Sequence, residues 1–182
     1  MSENISGKRV FVTGADGFIG SHLIELLVES GAQVRALVYY NSWNTIGWLK
    51  DIPESILSQV EIVRGDVRDS DHMRELVSGC EYVMHLSSLI AIPYSYHAPR
   101  SYVDTNITGA LNILQACRES DSLTRLVHVS TSETYGSAQY VPINELHPMV
   151  GQSPYSASKI AADKMAESYH LSFEFPVVTA RP

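Results

Sequence analysis

Short, almost continuously apolar segments alternate with amphipathic segments along this chain, and this alternation is what most constrains its fold. The apolar segments predict six strands, at residues 9–13, 34–38, 60–64, 82–86, 126–130 and 176–180. The segments between them predict helices at residues 21–30, 71–78, 102–120 and 155–172. Strands without an alternating polar face are typical of a parallel sheet that is covered on both sides. The sequence therefore predicts an α/β fold, a doubly wound parallel sheet with helices on both faces.

The size and the ending of the chain bear on its domain organisation. With 182 residues, 45% of them hydrophobic, residues 1–182 hold enough apolar material for one domain with a sizeable core. The last predicted strand runs directly into Pro182. Because a strand of this kind normally leads to a further element, we expect the sequence to be truncated, with a C-terminal domain missing.

Charge and composition argue against several classes of function. The chain carries 13 basic and 20 acidic residues, and no stretch concentrates lysine and arginine as a nucleic-acid surface would. No apolar run approaches the ~18 residues of a membrane span, and residues 1–8 lack the profile of a signal peptide. The histidine spacing indicates no metal site, and Cys80 and Cys117 are predicted to be free, inert thiols. We expect a cytoplasmic protein with no nucleic-acid and no membrane partner.

A glycine-rich turn follows the first predicted strand and opens the first predicted helix. Its glycines are Gly14, Gly17 and Gly20. Such a turn lets backbone approach a pyrophosphate, while the helix N-terminus supplies amide donors and partial positive charge. The spacing departs from the usual Gly-x-Gly-x-x-Gly fingerprint, and a plain tight turn is the alternative. The position in the first strand-to-helix crossover favours dinucleotide binding on a Rossmann-type sheet.

The sequence leaves the choice between NAD and NADP open. Folds specific for NAD usually place an acid about 20 residues after the glycine turn, where it accepts a hydrogen bond from the ribose 2′-hydroxyl. Here the second strand ends at Tyr39, Tyr40 and Asn41, with neither an acid nor an arginine for a 2′-phosphate. We favour NAD as the cofactor, with NADP not excluded.

Further cofactor contacts are expected in the loops beyond the carboxyl ends of the strands, where ligands of such sheets bind. Asp66 and Val67 follow the third strand and are candidates for contact with the adenine ring, although Asp66 after Gly65 is also typical of a simple turn. The predicted cofactor-binding residues are Gly14, Asp16, Gly17, Phe18, Ile19, Gly20, Tyr40, Asn41, Asp66, Val67, Leu86, Ser87, Ser88, Tyr155 and Lys159.

Tyr155 and Lys159 stand four residues apart in a predicted helix and so share one of its faces. A nearby cation favours the phenolate form of tyrosine. Lowering a phenol pKa from ~10 by roughly three units needs about 4 kcal/mol, which a lysine and a cationic nicotinamide together can supply. The pair therefore indicates redox chemistry on an alcohol, with chance spacing as the alternative.

Three segments, taken in order, resemble the extended short-chain dehydrogenase/reductase family of NAD-dependent epimerases and dehydratases. They are residues 13–20, Gly65-Asp66-Val67 and Tyr155-Ser156-Ala157-Ser158-Lys159, and the likeness covers essentially the whole chain. The resemblance implies NAD(P) on the sheet, a nucleotide sugar in a smaller C-terminal domain, and a homodimer through helices 102–120 and 155–172. It also makes Tyr155 the acid/base, Lys159 the ligand of the nicotinamide ribose that lowers the Tyr155 pKa, and Thr131 a hydrogen-bond partner of the sugar hydroxyl.

Glu133 separates reaction types within that family. A 4,6-dehydratase must remove the C5 proton and expel the C6 hydroxyl, which requires a carboxylate base within reach. Thr131-Ser132-Glu133 resembles the Thr-Ser-Glu of GDP-mannose-type dehydratases and departs at Ser132 from the Thr-Asp-Glu of dTDP-glucose dehydratases. The predicted catalytic residues are Thr131, Ser132, Glu133, Tyr155 and Lys159, while a solvated loop acid is the alternative for Glu133.

Two aromatic stretches, residues 39–49 and 92–96, resemble the N-acetylglucosamine 4,6-dehydratases of legionaminic acid-type sugar synthesis. Trp43 and Trp48 are open to two interpretations, contact with substrate or cover for the sheet edge. Asn106 resembles a family asparagine that braces the active-site backbone, with an exposed polar residue of the helix as the alternative. The favoured function is therefore a nucleotide-sugar 4,6-dehydratase. The alternatives are a 4-epimerase or a UDP-glucuronate decarboxylase of the same family, or a non-catalytic NAD(P)-binding sensor.

Overall fold

The computed structural model describes residues 5–182, and its centre is a parallel sheet of six strands. The strands lie in the order β3-β2-β1-β4-β5-β6. This order is that of the dinucleotide-binding doubly wound fold, and it reverses between β1 and β4, where such sheets bind their ligands. The sheet confirms the predicted fold class. The strand bounds are β1 Arg9–Thr13, β2 Gln33–Tyr39, β3 Glu61–Gly65, β4 Tyr82–His85, β5 Arg125–Val129 and β6 Val177–Ala180.

Helices connect the strands. They are α1 Phe18–Glu29, α2 Glu54–Leu57, α3 Ser70–Val77, α4 Ile92–His97, α5 Pro99–Tyr102, α6 Gly109–Arg118 and α7 Pro154–Phe173. Two 3₁₀ turns, Gly47–Asp51 and Ser132–Tyr135, and a π-helical turn, Val103–Thr108, complete the elements. None of the helices within residues 5–182 is both long enough and apolar enough to cross a membrane.

The structure corrects the predicted helix 102–120 in two ways. Helical backbone begins at Pro99, and the π-helical turn separates α5 from α6 instead of letting one regular helix continue. In addition, α4 lies between the fourth predicted strand and this helix, where no helix was predicted. Pro93 is compatible with α4 because proline is well tolerated in the first turn of a helix, where its missing N–H costs nothing.

The core consists of two apolar layers, one on each face of the sheet. In β1, Phe11 faces one layer while Val10 and Val12 face the other, as the two-residue period of a strand requires. Helices α3, α6 and α7 cover the Phe11 side, and α1 covers the opposite side. The helices on both faces bury all three side chains completely.

The packing of the core bears on two predictions about side chains. Cys80 and Cys117 are free and buried, and burial raises the pKa of both thiols, which confirms the prediction of unreactive cysteines. Ala162 and Ala166 of α7 are fully buried, and Ala166 belongs to the layer around Phe11. This face of α7 therefore packs within its own chain. The predicted homodimer through α6 and α7 stays a prediction.

Candidate active site

A cleft of about 910 Å³ lies at the carboxyl ends of the strands, around the point where the strand order reverses. Its walls come from the loops that follow β1, β3, β4 and β5, together with the end of β2 and part of α7. Most of the predicted site residues line it. These are Gly14, Asp16, Gly17, Phe18, Ile19, Gly20, Asp66, Val67, Leu86, Ser87, Ser88, Thr131, Glu133 and Tyr155.

The glycine turn fits its predicted role because two of its members leave no room for a side chain. Gly14 has φ +70°, and a Cβ there would come within 2.9 Å of the Ser87 backbone nitrogen. A Cβ on Gly20 would lie only 2.1 Å from the Gly14 carbonyl oxygen, so helix α1 packs tightly on the turn. Such close packing brings backbone, instead of side chains, to the edge of the cleft.

The N-terminus of α1 opens onto the cleft. Its N-cap, Gly17, offers no side-chain hydrogen bond to the first turn of the helix. Phe18, Ile19 and Gly20 all line the cleft at this point. The amides of a first helical turn are the donors that bind phosphate groups, and the helix dipole adds attraction for an anion. The observed cradle therefore fits a dinucleotide pyrophosphate.

Thr13 joins the glycine turn to the loop after β4. Its buried Oγ1 accepts hydrogen bonds from the backbone N–H groups of Leu86, at 3.2 Å, and Ser87, at 3.1 Å. The hydroxyl then donates to Nδ1 of His85, 2.8 Å away. Burial, together with repulsion from His128 and Lys159, holds the pKa of His85 well below its usual range, so its ring is neutral and can accept this bond.

The loop after β3 contributes Asp66 and Val67 to the cleft. Asp66 accepts hydrogen bonds from the backbone N–H of Arg68 at 2.9 Å and from its Nε at 3.0 Å. Its pKa is lowered, with the Arg68 side-chain hydrogen bond as the largest cause and burial opposing it. Asp66 therefore makes the turn that the alternative interpretation required and also lines the cleft.

Tyr40 and Asn41 do not line the cleft, although the sequence analysis placed them in the cofactor site. Tyr40 is 67% exposed, and the Asn41 side chain is used inside its own loop, where Nδ2 donates to the carbonyl oxygens of Tyr39 and Thr45 at 3.1 Å. The wall of the cleft is formed instead by Leu37 and Tyr39. Successive residues of a strand point to opposite faces of the sheet. A prediction that is wrong by one residue therefore assigns a solvent-facing side chain to the wall of the cleft.

Tyr155 lies near the N-terminus of α7, with 7% of its surface exposed, and lines the cleft together with Thr131. A capping box between Ser153 and Ser156 fixes the start of this helix. Burial raises the pKa of Tyr155, the nearby Thr131 hydroxyl lowers it, and the charge of Glu133 raises it further, with a net upward shift. The phenol and Thr131 thus form a polar pair that Glu133 influences electrostatically.

Lys159 is held behind the wall of the cleft. Its Nζ donates to the Val129 carbonyl oxygen at 2.8 Å, and burial lowers its pKa to about 8 against the opposing charge of Asp163. The sequence analysis expected Lys159 to lower the pKa of Tyr155. The protein groups by themselves give the opposite direction, because burial of the phenol dominates and the ammonium is directed at the end of β5.

The 3₁₀ turn after β5 presents Glu133 to the cleft. Thr131 caps this turn, since its Oγ1 accepts a hydrogen bond from the Glu133 N–H at 3.2 Å. Thr131 therefore supports the backbone of Glu133, and its hydroxyl also lowers the pKa of Tyr155. Ser132 is exposed and does not line the cleft; its N–H donates to the Pro182 carbonyl oxygen at 3.3 Å.

The family of the chain follows from comparison with known proteins. The family model described as GDP-mannose 4,6 dehydratase matches residues 11–182. The chain belongs to the GDP-mannose 4,6 dehydratase family. This membership confirms the resemblance to the extended short-chain dehydrogenases/reductases that act as nucleotide-sugar epimerases and dehydratases.

The relatives of this chain include both dehydratases and epimerases. A dTDP-glucose 4,6-dehydratase of Streptomyces antibioticus is 32% identical over 94% of the chain and 52% of its own length. A UDP-N-acetylglucosamine 4-epimerase of Methanobrevibacter ruminantium, solved in complex with UDP-N-acetylmuramic acid, superposes with a TM-score of 0.86 at 28% identity, covering 97% of this chain and 55% of the epimerase. Dehydratases and epimerases are therefore comparably similar.

A third relative bears on the cofactor. The dTDP-glucose 4,6-dehydratase of Streptomyces venezuelae was crystallised with NAD bound, and it superposes with a TM-score of 0.80 at 29% identity, over 95% of this chain and 55% of its own. Across these comparisons, the chain spans about half the length of the relatives it matches.

The contacts of Asn106 match the bracing role that its resemblance implied. Asn106 lies in the π-helical turn and is 2% exposed. Its Oδ1 accepts from the Leu89 N–H at 2.8 Å, and its Nδ2 donates to the Leu89 carbonyl at 3.0 Å and to Ser158 Oγ at 2.9 Å. Asn106 thereby fixes the loop after β4 against helix α7. Irregular π turns inside helices are frequent at functional sites.

A buried polar cluster behind the cleft had no counterpart in the sequence analysis. Asp163 of α7 accepts from His128 Nε2 at 3.1 Å and from Arg181 Nε at 2.9 Å, and Arg181 also donates to the Tyr135 hydroxyl at 3.1 Å. From the sequence alone, only the i, i+4 spacing of Asp163 and Lys159 could have indicated this cluster. The cluster joins α7, β5, the 3₁₀ turn and the residue that follows β6.

Proposed function

We propose that this chain is the NAD-binding and catalytic part of a nucleotide-sugar 4,6-dehydratase. The observation that carries the proposal is the position of Glu133, which lines the same cleft as Thr131 and Tyr155 and whose charge acts on the Tyr155 phenol. Oxidation of the sugar alcohol needs only the hydroxyl groups of Thr131 and Tyr155, whereas elimination of water also needs a carboxylate base beside them.

NAD is the cofactor that the cleft fits. The Gly14 turn and the first turn of α1 would hold its pyrophosphate, the loop of Asp66 and Val67 would meet the adenine, and Tyr155 and Lys159 would lie at the nicotinamide end. When bound, NAD accepts the hydride from the sugar C4 carbon and later returns a hydride to C6. Relatives crystallised with NAD support this assignment.

The first task of the protein groups is to remove the proton of the sugar 4-hydroxyl. Tyr155 Oη, as phenolate, takes this proton, while the Thr131 hydroxyl forms a hydrogen bond with the oxygen of the sugar 4-hydroxyl. The C4–H bond breaks as a hydride, so the carbinol carbon becomes a ketone and charge is balanced by the proton on Tyr155. Lys159 contributes positive charge below its pKa of about 8, and with the nicotinamide ribose bound this charge would favour the phenolate.

The second task is the elimination of water. A 4-keto group acidifies the C5 proton, and Glu133 removes it as general base. The C6–O bond then breaks, and the hydroxyl leaves as water by taking up the proton that Tyr155 accepted in the first step, which restores the phenolate. The electron pair of the C5–H bond forms the C5–C6 double bond. Hydride addition at C6 and return of a proton from Glu133 to C5 complete the 4-keto-6-deoxy sugar.

The substitution Glu133→Gln tests this assignment. The protein is incubated with NAD and a panel of UDP-, dTDP- and GDP-linked hexoses, and products are analysed by mass spectrometry. We expect the wild type to release a product that has lost one water. The amide of the Glu133→Gln variant cannot accept the C5 proton, so elimination should fall by about 10²–10⁴-fold, whereas reduction of bound NAD should persist.

The matched control is Glu145→Gln, which removes an exposed acid from the following loop, away from the cleft. This variant should dehydrate at the wild-type rate. Release of dehydrated product at an unchanged rate by the Glu133→Gln protein would show that Glu133 is not the base.

A nucleotide-sugar 4-epimerase is the second candidate. It is favoured by the 4-epimerase structure that superposes at a TM-score of 0.86, and it needs the Tyr155 and Thr131 pair but no elimination base. A product of unchanged mass with inverted C4 configuration, formed equally by the wild type and the Glu133→Gln variant, would decide for the epimerase.

A further inference from the structure

In the structure, a carboxylate from another segment lies at the end of β2, although β2 itself contains no acidic residue. Asp16, from the glycine turn, accepts a hydrogen bond through Oδ2 from the backbone N–H of Tyr39 at 3.2 Å. The parallel register explains the contact, because Thr13 pairs with Leu37 and the turn after β1 therefore lies beside the end of β2. Asp16 and Tyr39 both line the cleft.

The backbone of Asp16 is fixed by the segment that follows β2. The Asp16 carbonyl oxygen accepts from the Trp48 N–H at 3.0 Å. Gly47 has φ +57°, and a Cβ there would approach the same carbonyl oxygen to 2.2 Å, so this backbone contact is tight. The Trp48 ring packs edge-on against Phe18, with centroids 5.4 Å apart. These contacts hold the carboxylate in one place at the cleft wall, as recognition of a ribose requires.

The basic groups near this end of the cleft are already engaged. Arg68 lines the cleft, but its Nε lies 3.0 Å from each carboxylate oxygen of Asp66. Arg64, beside β2 in the sheet, donates to the carbonyl oxygens of Asn44 and Thr45. Arg68 and Asp66 therefore largely cancel each other's charge, and Arg64 directs its donors at loop carbonyl oxygens. An extra phosphate beside Asp16 would thus meet that carboxylate without an arginine positioned to bind it.

We infer that Asp16 is the residue that selects NAD over NADP, taking the part of the acid that this fold usually carries on its second strand. With Oδ2 held by Tyr39, the carboxylate accepts hydrogen bonds from the adenosine ribose hydroxyls and repels a 2′-phosphate. The inference rests on the proposed function, because it presumes that the cleft binds a dinucleotide.

Titration calorimetry of NAD and of NADP against the wild type, Asp16→Asn and Asp51→Asn tests the inference. Asparagine keeps an acceptor oxygen for the Tyr39 N–H and removes only the charge. We expect the wild type to bind NAD more tightly than NADP, and Asp16→Asn to reduce that ratio by about 10-fold or more. Asp51→Asn is the matched control, since Asp51 is an exposed acid of the adjacent 3₁₀ turn. It should keep the wild-type ratio.

The outcomes separate this inference from the proposed function. If the wild type binds NAD, and Asp16→Asn keeps the wild-type ratio or weakens both dinucleotides equally, Asp16 has at most a structural role and the inference is wrong while NAD binding stands. A wild type that prefers NADP also overturns it. If the wild type binds neither dinucleotide, the proposed function fails and the inference fails with it.

Discussion

At the scale of single residues, the pKa of Tyr155 in the candidate site is set by burial and by a few neighbouring side chains. Tyr155 is buried and close to the charge of Glu133, and both effects raise its pKa. They outweigh the lowering by the Thr131 hydroxyl, so the pKa lies above the ordinary value. Glu133 therefore disfavours the phenolate through its charge, and under the proposed function the same carboxylate is the base for elimination. In that proposal, one carboxylate couples the oxidation and elimination steps.

This coupling predicts that Glu133→Gln lowers the pKa of Tyr155. Removal of a negative charge favours the phenolate, so the phenol should ionise at lower pH than in the wild type. Tyrosinate absorbance is followed during a pH titration, and the contribution of Tyr155 is isolated by subtracting a Tyr155→Phe background in each case. An unchanged or raised Tyr155 pKa would contradict the coupling, and Glu145→Gln serves again as the control.

At the scale of elements, α7 combines the two proposed catalytic residues with a buried anchor. Tyr155 and Lys159 lie near its start, and Asp163, one turn later, binds His128 of β5 and Arg181 beyond β6. Although burial opposes it, the hydrogen bonds from His128 and Arg181 hold the pKa of Asp163 below its ordinary value. The register of α7 against the sheet thus depends on one carboxylate that never reaches the cleft.

Loss of that charge should destabilise the protein. In Asp163→Asn, Arg181 loses its counter-charge in a largely buried setting, and breaking one partner of such a pair costs about 3–5 kcal/mol of unfolding free energy. Urea unfolding at neutral pH measures the change. The adjacent substitution Lys164→Gln breaks only the exposed pair with Glu167 and should cost about 1 kcal/mol or less. Equal effects of the two substitutions would show that Asp163 is not an anchor.

At the scale of the whole molecule, two buried histidines lie under the carboxyl edge of the sheet. His85 and His128 are each 3% exposed, with ring centroids 5.7 Å apart in a stacked arrangement. Burial lowers the pKa of both, helped at His85 by repulsion from His128 and Lys159, and opposed at His128 by the hydrogen bond to Asp163. They are therefore held neutral at pH values where the unfolded chain takes up protons.

The stability of the fold should consequently fall on acidification below about pH 6.5, the ordinary pKa of histidine. Each histidine that is neutral when folded and protonated when unfolded changes the unfolding free energy by about 1.4 kcal/mol per pH unit. Urea unfolding between pH 7 and pH 5 should show this slope, and His85→Asn, which can still accept from Thr13, should reduce it. The exposed His97→Asn is the control. An unaltered slope in His85→Asn would contradict the assignment.

Local patterns predicted much of the fold and the main candidate catalytic residues. Strand cores are recognised because apolar runs between turn residues have few alternatives, and the glycine turn is recognised because no other residue tolerates the conformation at Gly14 or the contact at Gly20. Tyr155 and Lys159 share a helical face whatever surrounds the helix. The π-helical turn at Asn106 and helix α4 were missed because their stability comes from tertiary contacts, such as the hydrogen bonds of Asn106 to Leu89.

By itself, the sequence determined which residues can form turns and pair in strands, and it indicated the candidate residues for redox chemistry, since these depend on neighbours within a few positions. Only the tertiary structure decided which distant groups meet. The pairing register brought Asp16 to the Tyr39 backbone, and the packing of α7 brought Asp163 to His128 and Arg181. In the protein without a bound nicotinamide, it also raised the pKa of Tyr155, because burial depends on the whole fold whereas the i, i+4 spacing of a lysine does not.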